Sequence, residues 1–145
     1  MTAVRSCQRG KRIKAAMVAA VVCLVSLPSI AEELMERPLT ELTRMLSDGE
    51  VTAVELVEAA LAKAKDLAHL NALISIDAER ALNAARKVDA TLAEGGVPRT
   101  LAGIPMVVKD NINIAGLKTT GGTPGISFVA EATAPAAVGL EEADA

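Results

Sequence analysis

Apolar residues recur along the chain in blocks of different period, and each block predicts a different element. Leu39, Leu42 and Leu46 fall on one face at helical spacing. With Pro38 suited to a first turn and Gly49 as a stop, they predict a helix over Met35 to Leu46. Thr52-Ala53-Val54-Glu55 then reads as a capping box, in which the threonine hydroxyl and the glutamate each satisfy a free backbone N–H. Val51 and Leu56 are placed to form the accompanying hydrophobic staple. The helix that follows is predicted to run to about Ala68, with Leu56, Ala60, Ala64 and Leu67 as its apolar stripe. Leu73 to Ile76 predicts a short strand. Asp77 is placed as the N-cap of a helix from Ala78 to Glu94, with Ala81, Leu82, Ala85, Val88 and Leu92 facing inward and Gly95-Gly96 ending it. After a turn at Val97-Pro98-Arg99-Thr100, the run Ile104-Pro105-Met106-Val107-Val108 predicts a buried strand, with Pro105 tolerated only near its start. Pro135 opens a last helix built from alanine, valine and leucine.

The first 31 residues have a different organisation. Arg5, Arg9, Lys11, Arg12 and Lys14 form a basic stretch, and Ala15 to Leu27 is apolar except for Ser26. That core suits a secretory signal and is shorter than the ~20 residues a membrane anchor needs, an uncleaved anchor being the alternative. Pro28 follows, and Ser29-Ile30-Ala31 offers small residues before a cut after Ala31. The expected organisation is a signal peptide at 1–31 and one further segment at 32–145. The protein is then exported, to the periplasm or the medium, without stable membrane association after cleavage.

Removal of the signal changes the charge. Of 15 basic and 18 acidic residues, five basic ones precede residue 32, so residues 32–145 carry 10 against 18, a net charge of −8. Nucleic-acid binding is not expected, since it needs a basic face and the chain has no Trp or Tyr for stacking on bases. Cys7 and Cys23 both lie in the signal, so no disulfide is expected afterwards. His69, the lone histidine, has no second His or Cys near it, so no metal site is expected, and no cofactor either. Glu55 and Glu58 read as solvated helix-surface carboxylates.

The candidate chemistry lies at Lys109. It follows the apolar run directly, precedes Asp110, and leads into a loop with Asn111, Asn113, Gly116, Thr119, Thr120, Gly121 and Gly122. Lysines at strand ends usually stay solvated with their stems over apolar surface. A buried lysine can instead be held neutral and serve as a general base. A neighbouring Asp110 carboxylate opposes that by favouring the ammonium. The loop lacks the G-x-x-x-x-G-K-[ST] spacing of a phosphate cradle, and its threonines suit capping of their own backbone.

The segment G-I-P-M-V-V-K-D-N-I-N-I-A-G-L-K-T-T-G-G-T resembles the lysine segment of the amidase signature family. The resemblance extends from about Leu39 to Val138. The K-D-N-I-N and T-T-G-G-T-P wording is most similar to the indoleacetamide and mandelamide hydrolases of that family. It implies an α/β fold, represented here by an N-terminal helical layer plus the first core strand or strands. It also implies hydrolysis of a small-molecule carboxylic amide to acid and ammonia by a Ser–cis-Ser–Lys triad, with Lys109 as the catalytic lysine and no metal or cofactor.

Family members are several times longer than this sequence, and their Gly-Gly-Ser-Ser-Gly-Gly segment has no counterpart among these 145 residues. Ser6, Ser26, Ser29, Ser47, Ser75 and Ser127 all stand in other contexts. The expectation is an incomplete amidase segment, inactive alone. The alternative is a non-catalytic helical module that binds a partner protein, or a remnant.

Overall fold

The computed structural model describes residues 30–143. The expected signal lies outside them except for its last two residues, which open α1 (Ile30–Met35). Next come α2 (Leu39–Ser47), α3 (Ala53–Asp66), a single 3-10 turn at Ala68–Leu70, and α4 (Ala78–Ala93). The strands β1 (Lys118–Thr119) and β2 (Phe128–Val129) pair antiparallel, and α5 (Pro135–Glu142) closes the described chain.

Proline splits the first predicted helix in two. Its ring disfavours helical geometry at the preceding residue and supplies no N–H. Pro38 therefore stands extended, at φ −59° and ψ 145°, just before α2 rather than inside a first turn. Arg37 spans the break, with one guanidinium nitrogen 2.6 Å from Glu33 and another bonded to Glu41. Leu42 and Leu46 are buried as expected, whereas Leu39 stays exposed. Gly49 takes φ +70° directly after the helix cap.

The core sits where α3 packs between α1 and α4. Leu56 is fully buried, with Leu34, Val51, Val57, Ala59, Ala85 and Val88 around it. The buried face of α3 is Ala53, Leu56, Val57 and Ala59, while Ala60 and Ala64 are half-buried and Leu67 is exposed. The stripe is thus rotated from the expected one, because Val57 and Ala59 meet neighbours that period alone does not identify. On α4 the expected face holds, with Ala85 and Val88 buried and Ala81, Leu82 and Leu92 packed at its margins.

Both predicted strands are absent. Residues 104–108 form no regular element and have no ladder partner: Ile104 is buried, but Met106 is exposed and Val107 is 77% exposed. Leu73, Ile74 and Ile76 are likewise exposed and unpaired. An apolar run becomes a strand only where another backbone meets its N–H and C=O groups. The strand pairing occurs instead between Lys118 and Val129 and between Thr119 and Phe128. Flanking bonds lengthen it, from Ala130 N to Leu117 O at 3.0 Å and from Gly116 N to Ala130 O at 2.8 Å. No helix among the described residues is long and apolar enough to cross a membrane.

Candidate functional site

The loop after Lys109 is organised by Asp110. Its carboxylate accepts from the backbone N–H of Thr120, at 3.1 and 3.2 Å to its two oxygens, and from that of Gly122 at 3.2 Å. It also accepts a short hydrogen bond from the Thr120 hydroxyl. The Asp110 carbonyl accepts from Gly121 N at 3.1 Å, and Thr120 Oγ1 accepts from Gly122 N at 3.1 Å. These donors favour the charged carboxylate, so Asp110 is held below its ordinary value of 3.8, chiefly by the Thr120 hydroxyl. Gly121 and Gly122 adopt φ +60° and +73°, which lets three consecutive N–H groups turn toward the carboxylate and carbonyl of one residue.

Lys109 is exposed, and its amine makes no hydrogen bond or ion pair with a described residue. The opposition expected from Asp110 therefore does not take the form of a direct contact. Ser47 is spent on the Thr43 carbonyl at 2.9 Å within α2. Ser75 and Ser127 are exposed, and neither is hydrogen-bonded to Lys109. An open surface depression of about 420 Å³ is bordered by Ile74, Lys118, Thr120, Gly122 and Ile126, so the clasped loop forms part of its rim.

A second set of contacts ties this region to the helices. Arg80 of α4 donates to the Ala115 carbonyl at 2.8 Å and pairs with Glu141 of α5 at 3.1 Å. Glu141 also accepts from Thr133 Oγ1, which itself accepts from Ala115 N at 3.0 Å. His69 approaches only the Asp66 carbonyl, at 3.2 Å, and no group of three potential metal ligands occurs among the described residues. Asp110, Thr120 and Arg80 are the residues that sequence reasoning missed as organisers. The signal available for the first two was an Asp followed ten residues later by Thr-Gly-Gly; the Arg80 contacts have none.

Comparison with known proteins gives the class of this chain. The Amidase family model matches residues 55–145, and the chain belongs to that family. Over 96 residues it is 44% identical to mandelamide hydrolase of Pseudomonas putida, covering 66% of this chain and 19% of that protein. Over 107 residues it is 41% identical to one of the subunits of glutamyl-tRNA(Gln) amidotransferase of Deinococcus deserti, covering 73% and 22%. The crystal structure of an amidase superposes with a TM-score of 0.68 at 36% identity, over 75% of this chain and 25% of that one. The chain thus spans about a fifth to a quarter of the proteins it matches. Its helices and small sheet are a part of the α/β amidase fold.

Proposed function

We propose that residues 32–145 are the lysine-bearing segment of an exported amidase that cleaves a small carboxylic amide to acid and ammonia. The observation that carries this reading is the position of Lys109. It stands at the entrance of the Asp110-clasped loop, inside the stretch matched by the Amidase model. In the mechanism implied by the resemblance, the neutral Lys109 amine takes a proton from a bridging serine. That serine takes the proton of a nucleophilic serine, whose oxygen attacks the amide carbonyl. The C–N bond breaks as the leaving nitrogen is protonated, and water then releases the acid from the acyl-enzyme. Neither serine has a counterpart among the serines of these 145 residues.

The 145 residues by themselves are therefore expected to be inert, because a triad works as a unit. Glycine-loop donors to the oxyanion would also be missing, each worth ~10²–10³ in rate. The test uses two proteins, this chain and the chain completed with the remaining length of a family member, serine segment included, assayed on an aryl-acetamide and an aliphatic amide. The extended protein should turn over, and Lys109→Ala should reduce its rate by ~10³-fold or more. Full turnover with Lys109→Ala would remove Lys109 from the mechanism. Lys109-dependent turnover by the 145 residues alone would show that they need no further serines.

A non-catalytic reading has one observation in its favour, the exposure of Lys109 in this chain. Under that reading the extended protein is as inactive as the shorter one.

A further inference from the structure

We infer that Asp110 is a positioning residue: by clasping the loop at Thr120 and Gly122 it keeps its own carboxylate away from the Lys109 amine. This rests on the reading of Lys109 as the proton acceptor. The two residues are adjacent in sequence and opposed in chemistry. A lysine that must be neutral gains nothing from a carboxylate beside it, since an opposite charge within ~4–6 Å favours the ammonium. Yet an aspartate stands immediately after Lys109.

The structure resolves the conflict by direction. The carboxylate of Asp110 faces the backbone N–H groups of Thr120 and Gly122 and the Thr120 hydroxyl. Its carbonyl is engaged by Gly121 N. These bonds fall mainly on one carboxylate oxygen and turn the group toward the loop, and charge-assisted bonds of this kind are the stronger class. The Thr120 hydroxyl is the part that a side-chain change can remove, because the other donors are backbone. Thr120 is half-buried and Thr119 beside it is buried, so the loop end of the clasp is anchored by the β1–β2 ladder. One side chain thus fixes the loop that borders the open depression and aims its own charge at the loop's N–H groups.

The experiment reads the free amine directly and needs no turnover. The full chain is pulsed with acetic anhydride at fixed pH, and acylation of Lys109 is scored by mass spectrometry against Lys87 as internal reference. Hydrogen exchange at the Gly122 amide is followed in parallel. Thr120→Val removes the one side-chain donor and should loosen the clasp, speed Gly122 exchange, and slow Lys109 acylation by up to about threefold, the size of an exposed ion pair. Asp110→Asn in the Thr120→Val background should restore the acylation rate without restoring Gly122 protection. Thr120→Ser keeps the hydroxyl and should match the parent on both readouts.

Faster Gly122 exchange with unchanged Lys109 acylation in Thr120→Val would overturn the proposal, leaving Asp110 a purely structural clasp. A rise in Lys109 acylation for Asp110→Asn alone, as large as the recovery in the double variant, would also overturn it, because the carboxylate would already pair with the lysine. Neither result bears on whether Lys109 acts in turnover, which the extended protein decides separately.

Discussion

Asp89, on α4, caps the start of α3: one carboxylate oxygen accepts from Ala53 N at 2.7 Å and the other from Val54 N at 3.1 Å. The first N–H groups of a helix have no partner within it and carry partial positive charge. Thr52 Oγ1 accepts a third such donor, Glu55 N, at 3.1 Å, and the Glu55 carboxylate in turn accepts from Thr52 N at 2.8 Å. The helix start is therefore held by its own residues and by one 36 positions away. Asp89→Ala should cost ~1–3 kcal/mol, because it leaves two part-buried donors unpaired. Urea unfolding of residues 32–145 measures it, and an unchanged midpoint would show that water replaces the carboxylate.

Gly103 meets α3 at the same place. Its φ is +76°, and a Cβ there would lie 2.5 Å from Ala53 Cβ. Gly103→Ala should destabilise by ~2 kcal/mol or more, combining left-handed strain with a clash against the helix. Ala53→Gly in the same chain should return only the clash part. Complete recovery would mean that the backbone angle costs nothing here.

The capping box should make stability depend on acid. Bonds from the Thr52 backbone N–H, and next from its hydroxyl, hold Glu55 below its ordinary value of 4.5. A lowered carboxyl stabilises the fold while ionised in both states, and that contribution is lost as pH falls through its folded value. Between pH 6 and about pH 5 the wild type and Glu55→Gln should show parallel urea midpoints. Below pH 4.5 the wild type should lose stability faster than Glu55→Gln. Parallel curves to the acid limit would place the loss in other carboxylates. Thr52→Ala should cost ~0.5–2 kcal/mol at neutral pH.

The proposed export makes a prediction about mass. The basic, apolar and small-residue order of residues 1–31 calls for cleavage after Ala31. Intact-mass measurement of the periplasmic or secreted product should show Glu32 as its first residue. A dominant species retaining Met1 would mean that the segment is not removed.

Local chemistry made much of this chain legible. The Thr52–Glu55 capping box, the Asp77 cap that accepts from Arg80 N at 3.0 Å, and the apolar face of α4 all depend on residues within a few positions of each other. The wording around Lys109 likewise carried the family, because it is a contiguous string. Where the tertiary structure decided, the partner was distant or the alternatives were locally equivalent. Ile104–Val108 has the composition of a strand, yet no backbone pairs with it in a ladder among the described residues. Lys118–Thr119 and Phe128–Val129 look weaker and pair because the intervening glycine turn brings them together. Asp89 could not be recognised as a cap, nor Asp110 as a clasp, from sequence alone. A carboxylate's role is set by the N–H groups that the fold turns toward it, across 36 residues in one case and 10 in the other.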